Sequence, residues 1–466
     1  MKKDLLLNLI LIVVLFLAYS NHFNNPFHFD DAHTIENNLL IRDLSNTSLF
    51  FKDATSFSSN PTNQVYRPVV SLSFAISYYF AGDLKPLYFH INIFLFFVLQ
   101  IVLMFFLFKK ILSKYLIKKS HLSILSILIV AWYALHTANA ETINYVSSIS
   151  DLYSAFFVVL ALCIYVYAPK FRKWQLYLIP IVIGMLAKEQ TAAFAPILFF
   201  YVLIFEQNLE KSSIFNKSNL KIILKAFIKS VPAFIVCGLM SLFVIKMQPE
   251  SFTPGGQSAF LYILIQPWVF LRYFIALFLP LNLSADTDWA VISNIFDERI
   301  IIGFLFLIGL LILAIRGLNR EKLKIISFGI FWFLLALAPT ALVPLAEVTN
   351  DHRMFFPFVG LVISVGWSVY LLFEYLLTKL KNKKALKISI LLLVFVVLIG
   401  NAYGVYQRNK VWSSDESLWY DVTVKSPNNG RGLMNYGLSQ MKKGNYEIAH
   451  EYFTKALQLS PYYSYL

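Results

Sequence analysis

An all-α, polytopic membrane fold with a short helical-repeat tail is the class this sequence predicts, and three observations predict it. Of the 466 residues, 58% are hydrophobic and only 14% charged, outside the usual range of soluble domains. The apolar residues gather in runs long enough to cross a hydrocarbon core as helices. From about residue 408 the chain turns polar and amphipathic, and Pro427 and Pro461 lie 34 residues apart, the tetratricopeptide period.

Taken in order, the spans fall at about 5–20, 88–108, 120–135, 152–168, 174–187, 190–206, 229–246, 299–316, 325–343, 354–377 and 388–407, eleven in all. The first run follows Lys2 and Lys3 and, with Ala18 and Ser20, resembles a signal peptide; ten further spans make it a retained signal-anchor. Two more apolar stretches, 66–82 and 257–281, are interrupted by Arg67, Pro68, Pro267 and Arg272 and read as interfacial or re-entrant helices on the outer face. Residues 1–407 thus form a transmembrane domain with a first outer loop at about 21–87, and 408–466 form the repeat region. With the N-terminus in the cytoplasm, most of the 40 basic residues fall in cytoplasmic segments and most of the 26 acidic ones in outer loops. A crossing at 257–281 would carry the basic cluster at 316–324 outside. The formal charge of +14 is therefore a topology signal and implies no nucleic acid. Cys163 and Cys237 both sit in apolar runs, so neither a disulfide framework nor a thiolate metal site is supported.

The polar residues of the outer side carry the chemistry. Asp30 and Asp31 follow the first span, and two adjacent carboxylates beside lipid are costly unless a cation, metal or substrate uses them. The competing reading makes them an ordinary helix N-cap. Arg67, His90, His136, Glu141, Lys188, Glu189 and Arg353 gather on the same side, and such a set supplies an acid or base and binds an anion. Snorkelling and plain loop polarity explain one or two of these residues more easily than all of them. Asp30 and Asp31, with a distant His or Glu, could ligate a divalent cation, but no His-x-x-x-His pair supports it. There is no Gly-x-Ser-x-Gly, no exposed cysteine and no Gly-rich phosphate loop, which excludes the common nucleophile and nucleotide motifs. In the tail, counting from Gly430, the residues Gly437, Ala449, Phe453, Ala456 and Pro461 take the small, aromatic and proline positions of one full repeat at about 430–463, with Leu433 and Tyr436 at apolar ones. A half repeat, Trp412 to Pro427, precedes it. A lone repeat buries little, so it packs on the membrane domain or the chain continues past residue 466.

The order Phe29-Asp30-Asp31, Tyr66-Arg67-Pro68, Phe89-His90-x-Asn92, Leu135-His136-(x)4-Glu141, Ala187-Lys188-Glu189, His352-Arg353 and then a tetratricopeptide tail resembles the transmembrane and tetratricopeptide-repeat O-mannosyltransferases and their bacterial relatives, of the GT-C superfamily. The resemblance spans essentially the whole chain. It departs at Thr137, where the family often has proline, and in the much shorter repeat array, which leaves the acceptor class open. It implies a glycosyltransferase of a bacterial inner membrane. Such an enzyme moves a mannose-like sugar from a polyprenyl-phosphate carrier to a protein or glycan hydroxyl on the extracytoplasmic side, with inversion.

On that reading Asp30 or Asp31 is the base and the other orients the acceptor or a metal. Arg67, Lys188 and Arg353 take the lipid phosphate, because guanidinium and ammonium pair with phosphate oxygens. His90, His136, Glu141 and Glu189 position. No cofactor is assigned, a divalent metal stays an open alternative, and the partners are the lipid-linked donor, the acceptor and membrane lipid. Envelope glycan or lipid glycosylation is the close variant. A transporter or flippase would place ionisable groups mid-span with repeat symmetry. A membrane-anchored repeat scaffold would need neither the paired carboxylates nor the cations.

Overall fold

The computed structural model describes residues 2–116, 118–207, 209, 216–250 and 258–459; Lys211 of the expected cytoplasmic set and Pro461 of the repeat lie outside the described residues. Among the described residues all regular structure is helical. Eight helices are long and apolar enough to cross a membrane: Pro86–Leu112, Val146–Tyr167, Lys217–Met247, Ala259–Ala276, Glu298–Gly317, Glu321–Leu342, Asp351–Lys379 and Lys383–Val411. All but Ala259–Ala276 coincide with expected spans. The remaining expected spans correspond to Lys2–Ala18 and to the shorter apolar helices Lys119–Ala134, Leu176–Met185 and Glu189–Phe205. This is an integral membrane protein.

Polar contacts divide the bundle into two ends. At a basic end, Asp4 accepts from Lys109 Nζ (2.6 Å) and Ser123 Oγ (2.7 Å), Lys114 donates to the Phe205 carbonyl (2.7 Å), and Lys118 reaches Glu374 (3.1 Å). Arg172 binds Glu206 through two 2.7 Å hydrogen bonds. At an acidic end stand the first outer loop, Asp151, Lys188, the 282–297 loop, Asp351 and the tail. The stretch 257–281, described from residue 258, bears on topology directly. Its helix Ala259–Ala276 starts where Tyr262 donates to the Thr340 carbonyl (2.8 Å). It closes where Arg272 meets Thr349 and Asp351 and the Leu277 carbonyl accepts from His136 Nε2 (3.1 Å). Both of its ends contact the acidic end, so this continuous helix lies along one side despite its length. Helix Pro68–Ala81 behaves likewise: Val69 N donates to the Leu186 carbonyl (3.3 Å), Ser73 meets Tyr153, and Gly82, at φ +66°, turns the chain into the next helix.

In lipid no hydrophobic force draws apolar helices together, so close approach and buried hydrogen bonds decide the packing. Helices Lys324–Leu342 and Phe355–Lys379 cross backbone to backbone at Gly329 and Gly360, where a Cβ on either would fall on the other helix. A buried amide, Asn144, ties distant segments together: its Oδ1 accepts from Asn25 (2.6 Å) and lies 3.1 Å from His22 Nδ1, and its Nδ2 donates to Asn409 Oδ1 (2.6 Å). The first outer loop is thereby pinned to helix Lys383–Val411, which runs four residues past the expected domain boundary at 407.

The tail forms three helices, Asp415–Lys425, Gly430–Lys442 and Tyr446–Leu459. Ser414 and Asn429 cap the first two by accepting from Ser417 N and Gly432 N. A Cβ on Gly437 would come within 2.7 Å of the Phe453 ring, so the repeat's small position packs against its aromatic one. The tail seats on the acidic end. Trp412 is fully buried among Phe29, Tyr145 and Trp419.

Candidate functional site

Asp30 and Asp31 are adjacent in sequence and opposite in environment. Asp31 is completely buried; one oxygen accepts from Ser147 N (2.8 Å) and Ser147 Oγ (2.6 Å), the other from His28 N (3.1 Å). Burial pushes its carboxyl up to about 6 against the pull of these donors. Asp30 has a side chain 53% exposed, with His33 Nε2 at 3.2 Å. Partial desolvation raises its carboxyl, but hydrogen bonds from His33 and Tyr145 and the charge of Arg431 outweigh this and hold it below the ordinary value. The divergence has a backbone cause. Phe29 sits at φ +53°, a conformation costing a bulky residue roughly 1–3 kcal/mol. Its ring is clamped by Trp419 (4.8 Å), Tyr145 (5.5 Å) and Trp412 (5.9 Å). The kink turns Asp31 inward onto Ser147 and leaves Asp30 on the open side.

A cationic group forms where the Leu176–Met185 and Glu189–Phe205 arms meet. Lys188 Nζ pairs with Asp151 Oδ1 at 2.6 Å, and burial depresses the lysine while Asp151 counters it. Arg67 is under-engaged: its guanidinium is 3.7 Å from Glu189 and 5.9 Å from the Phe57 ring centre, and its buried Nε has no hydrogen-bond partner. The fields of Lys188, His352 and Arg67 all act on Asp151, so these groups are neighbours. His352 Nδ1 in turn lies 2.7 Å from Glu141 Oε1, whose carboxyl burial raises. Beside this group lies an apolar cavity of about 400 Å³ lined by Phe51, Tyr66, Val182, Leu186, Met240 and Phe243. Tyr66 precedes Arg67, Leu186 lies two residues before Lys188, and Tyr66 N donates to Gln248, which also reaches Glu189.

The other expected site residues divide. Arg353 is buried, donates to the Glu347 and Val348 carbonyls and lies 3.8 Å from the Glu347 carboxylate. His90 is fully buried with Nε2 2.9 Å from the Asn25 carbonyl and its ring 4.3 Å from that of His22. His136 binds the Leu277 carbonyl and accepts from Ala138 N. These two imidazoles hold loops together and do not reach the open site. Asp30 and Asp31 face different partners, and among the described residues no group of three or more His, Cys, Asp or Glu is placed to hold a metal.

Several residues of the site carry little sequence signal. Tyr145 looks like any loop aromatic. Arg431 does leave a trace: a cation in the first turn of a helix is locally unfavourable, which suggests a tertiary partner. It has two, Asp286 (2.7 Å) and Glu347 (3.0 Å). Arg272, close to Asp351 (3.2 Å) and over the Trp289 ring, anchors the re-entrant helix.

Fold and site together define a polytopic membrane protein whose one face combines an exposed carboxylate, a cationic pair beside an apolar cavity, and a docked tetratricopeptide tail. The family model described as Tetratricopeptide repeat matches residues 430–463. Over nearly its whole length the chain is similar to proteins named protein O-mannosyl-transferases. Relatives include TMTC3 of Mus musculus (23% identical, 97% of this chain, 51% of the relative) and TMTC4 of Homo sapiens (26%, 94% and 64%). F38B6.6 of Caenorhabditis elegans is another (23%, 98% and 63%). The chain thus spans between about half and two thirds of these relatives. No solved structure matches it.

Proposed function

We propose that this chain is a membrane glycosyltransferase that moves a mannose-like hexose from a polyprenyl-phosphate carrier to an acceptor hydroxyl, on protein, at the extracytoplasmic face. The observation that carries the reading is the apolar cavity beside Lys188 and Arg67, on the same end of the bundle as the exposed, readily ionised Asp30. An isoprenoid chain needs apolar walls, and its phosphate needs cations where those walls end. The names of the relatives support the sugar and the protein acceptor.

In the reaction the acceptor oxygen attacks the anomeric carbon from the side opposite the phosphate. The new C–O bond forms as the bond to the phosphate oxygen breaks, the electron pair leaves with the phosphate, and Asp30 takes the hydroxyl proton. Arg67, with an unused donor, and Lys188 offset the charge developing on the leaving group. Asp31 keeps Asp30 in register through Ser147 and the Phe29 kink, and inversion at the anomeric carbon follows from the single displacement.

Release of free lipid phosphate in a single turnover, in nanodiscs, tests this. Asp30→Asn should lower the rate about 100-fold or more while donor binding holds. Arg67→Ala should weaken donor binding on the order of tenfold, the value of one charge-assisted contact. Full activity in Asp30→Asn would overturn the assignment of the base, and donor binding indifferent to Arg67 would overturn the phosphate site.

A further inference from the structure

A second cavity, of about 300 Å³, opens at the basic end, across the bundle from the site above. Its walls include Tyr165, Arg172, Lys173, Tyr177, Lys229 and Pro232. We propose that it binds the phosphate of an anionic membrane lipid.

Two of the cations there are held by a shared carboxylate. Arg172 is held by the two hydrogen bonds to Glu206 and lies 4.1 Å from the centre of the Tyr165 ring, which meets Tyr177 edge to face at 5.0 Å. Lys229 shares the same carboxylate at 3.5 Å. Arg172 and Lys229 therefore share one carboxylate, Lys173 adds a third cation outside that pairing, and the excess positive charge has no protein counter-ion in the cavity among the described residues. Gln175, at φ +55°, reverses the chain so that Lys173 and Tyr177 reach the same space from either side of a tight bend. Pro232 contributes a different group. Lacking an N–H, it leaves the Ile228 carbonyl without its helical donor, and Ile228 also lines the cavity. A ligand suited to these walls has phosphate oxygens for the cations.

The surroundings favour a lipid over free phosphate. Phe171, Ile179 and Ile228 are exposed around the opening, and Trp174 is 74% exposed. Aromatic and aliphatic side chains exposed beside a cationic opening are what a headgroup with acyl chains meets at a bilayer boundary, and basic pockets between helices suit anionic headgroups.

The test is thermal unfolding of the whole protein in detergent, titrated separately with phosphatidylglycerol, phosphatidylcholine and inorganic phosphate. Phosphatidylglycerol should raise the midpoint, and Lys173→Gln/Lys229→Gln should need on the order of tenfold more of it for the same rise. Lys381→Gln/Lys384→Gln, which removes the same charge elsewhere on the basic end, should respond as the unaltered protein does. Equal loss in the control pair, or no preference for phosphatidylglycerol over phosphatidylcholine, overturns the site. An equal effect of inorganic phosphate at the same concentration overturns the lipid assignment. If the double variant does not fold, Lys173→Gln alone carries the test in the same direction, since that exposed lysine takes no part in the Glu206 pairing.

Discussion

Asp31 is a buried anion whose surroundings make charge expensive, and the sign of its effect on stability follows from its raised carboxyl. In the unfolded chain it ionises near 3.8 and in the fold near 6, so between those values the folded state holds a proton that the unfolded state has lost. Stability from this group is therefore lowest above about pH 6 and recovers as the pH falls towards 4. We predict that the unfolding midpoint of the unaltered protein rises relative to that of Asp31→Asn as the pH is lowered from 7 to 5. Parallel curves would show that Asp31 does not titrate there. The adjacency of Asp30 and Asp31 was legible in the sequence. Their division was not, because it depends on a positive φ at Phe29 and on Ser147, which arrives from 116 residues away. His90 and His136 were read with the site because both lie on its side of the membrane. Side of the membrane is a sequence property, whereas reach into a cleft depends on which carbonyl each imidazole meets, here those of Asn25 and Leu277.

At the scale of elements, the tail acts as a wall of the site. His28 binds the Trp412 carbonyl (2.7 Å) and Asp415 (3.0 Å), Lys425 donates to the Leu283 carbonyl (2.7 Å), and Arg431 joins Asp286 to Glu347. Glu347 also faces Arg353, so the repeat, the loop after the re-entrant helix and the Asp351 segment form one polar seam. Removing Arg431 leaves the nearly buried Asp286 carboxylate unpaired, which costs more than the pair itself contributed. Arg431→Ala should speed amide exchange in Asp415–Lys425 and Gly430–Lys442 on the order of tenfold, with the membrane helices unchanged; adding Asp286→Asn should reverse part of it. Exchange unaffected by Arg431→Ala would mean that Trp412 and its aromatic neighbours hold the tail unaided. The repeat itself was readable from period and composition, down to Gly437 and Phe453 at its small and aromatic positions. Packing on the membrane domain was one of two expectations for a lone repeat, but the seam itself was not readable, because it pairs residues far apart in sequence and only Arg431 at a helix N-terminus leaves a local trace of it.

Across the whole molecule, charge and connectivity predict one orientation. The basic end collects Lys109, Lys114, Lys118, Arg172 and Lys324, and the opposite end carries Asp30, Asp151, Asp286 and Asp351. Because basic segments stay in the cytoplasm during insertion, the basic end should face inward and the acidic end outward. Helix Ala259–Ala276 decides whether this is consistent, since by length it could cross. Were it to cross, the 282–297 loop would lie on the far side from the first outer loop. Yet Ser284 N donates to Asp351 (2.8 Å) and Lys425 reaches Leu283, both at the acidic end. Cysteine labelling reads this directly, because Cys163 and Cys237 are both buried and give little background. A membrane-impermeant maleimide added outside intact cells should label Lys52→Cys in the first outer loop and Ser293→Cys after the re-entrant helix, both exposed positions, and spare the exposed Asn382→Cys until the membrane is opened. Protection of Ser293→Cys with labelling of Lys52→Cys would make the helix a true crossing, and labelling of Asn382→Cys from outside would invert the protein and place Asp30 in the cytoplasm.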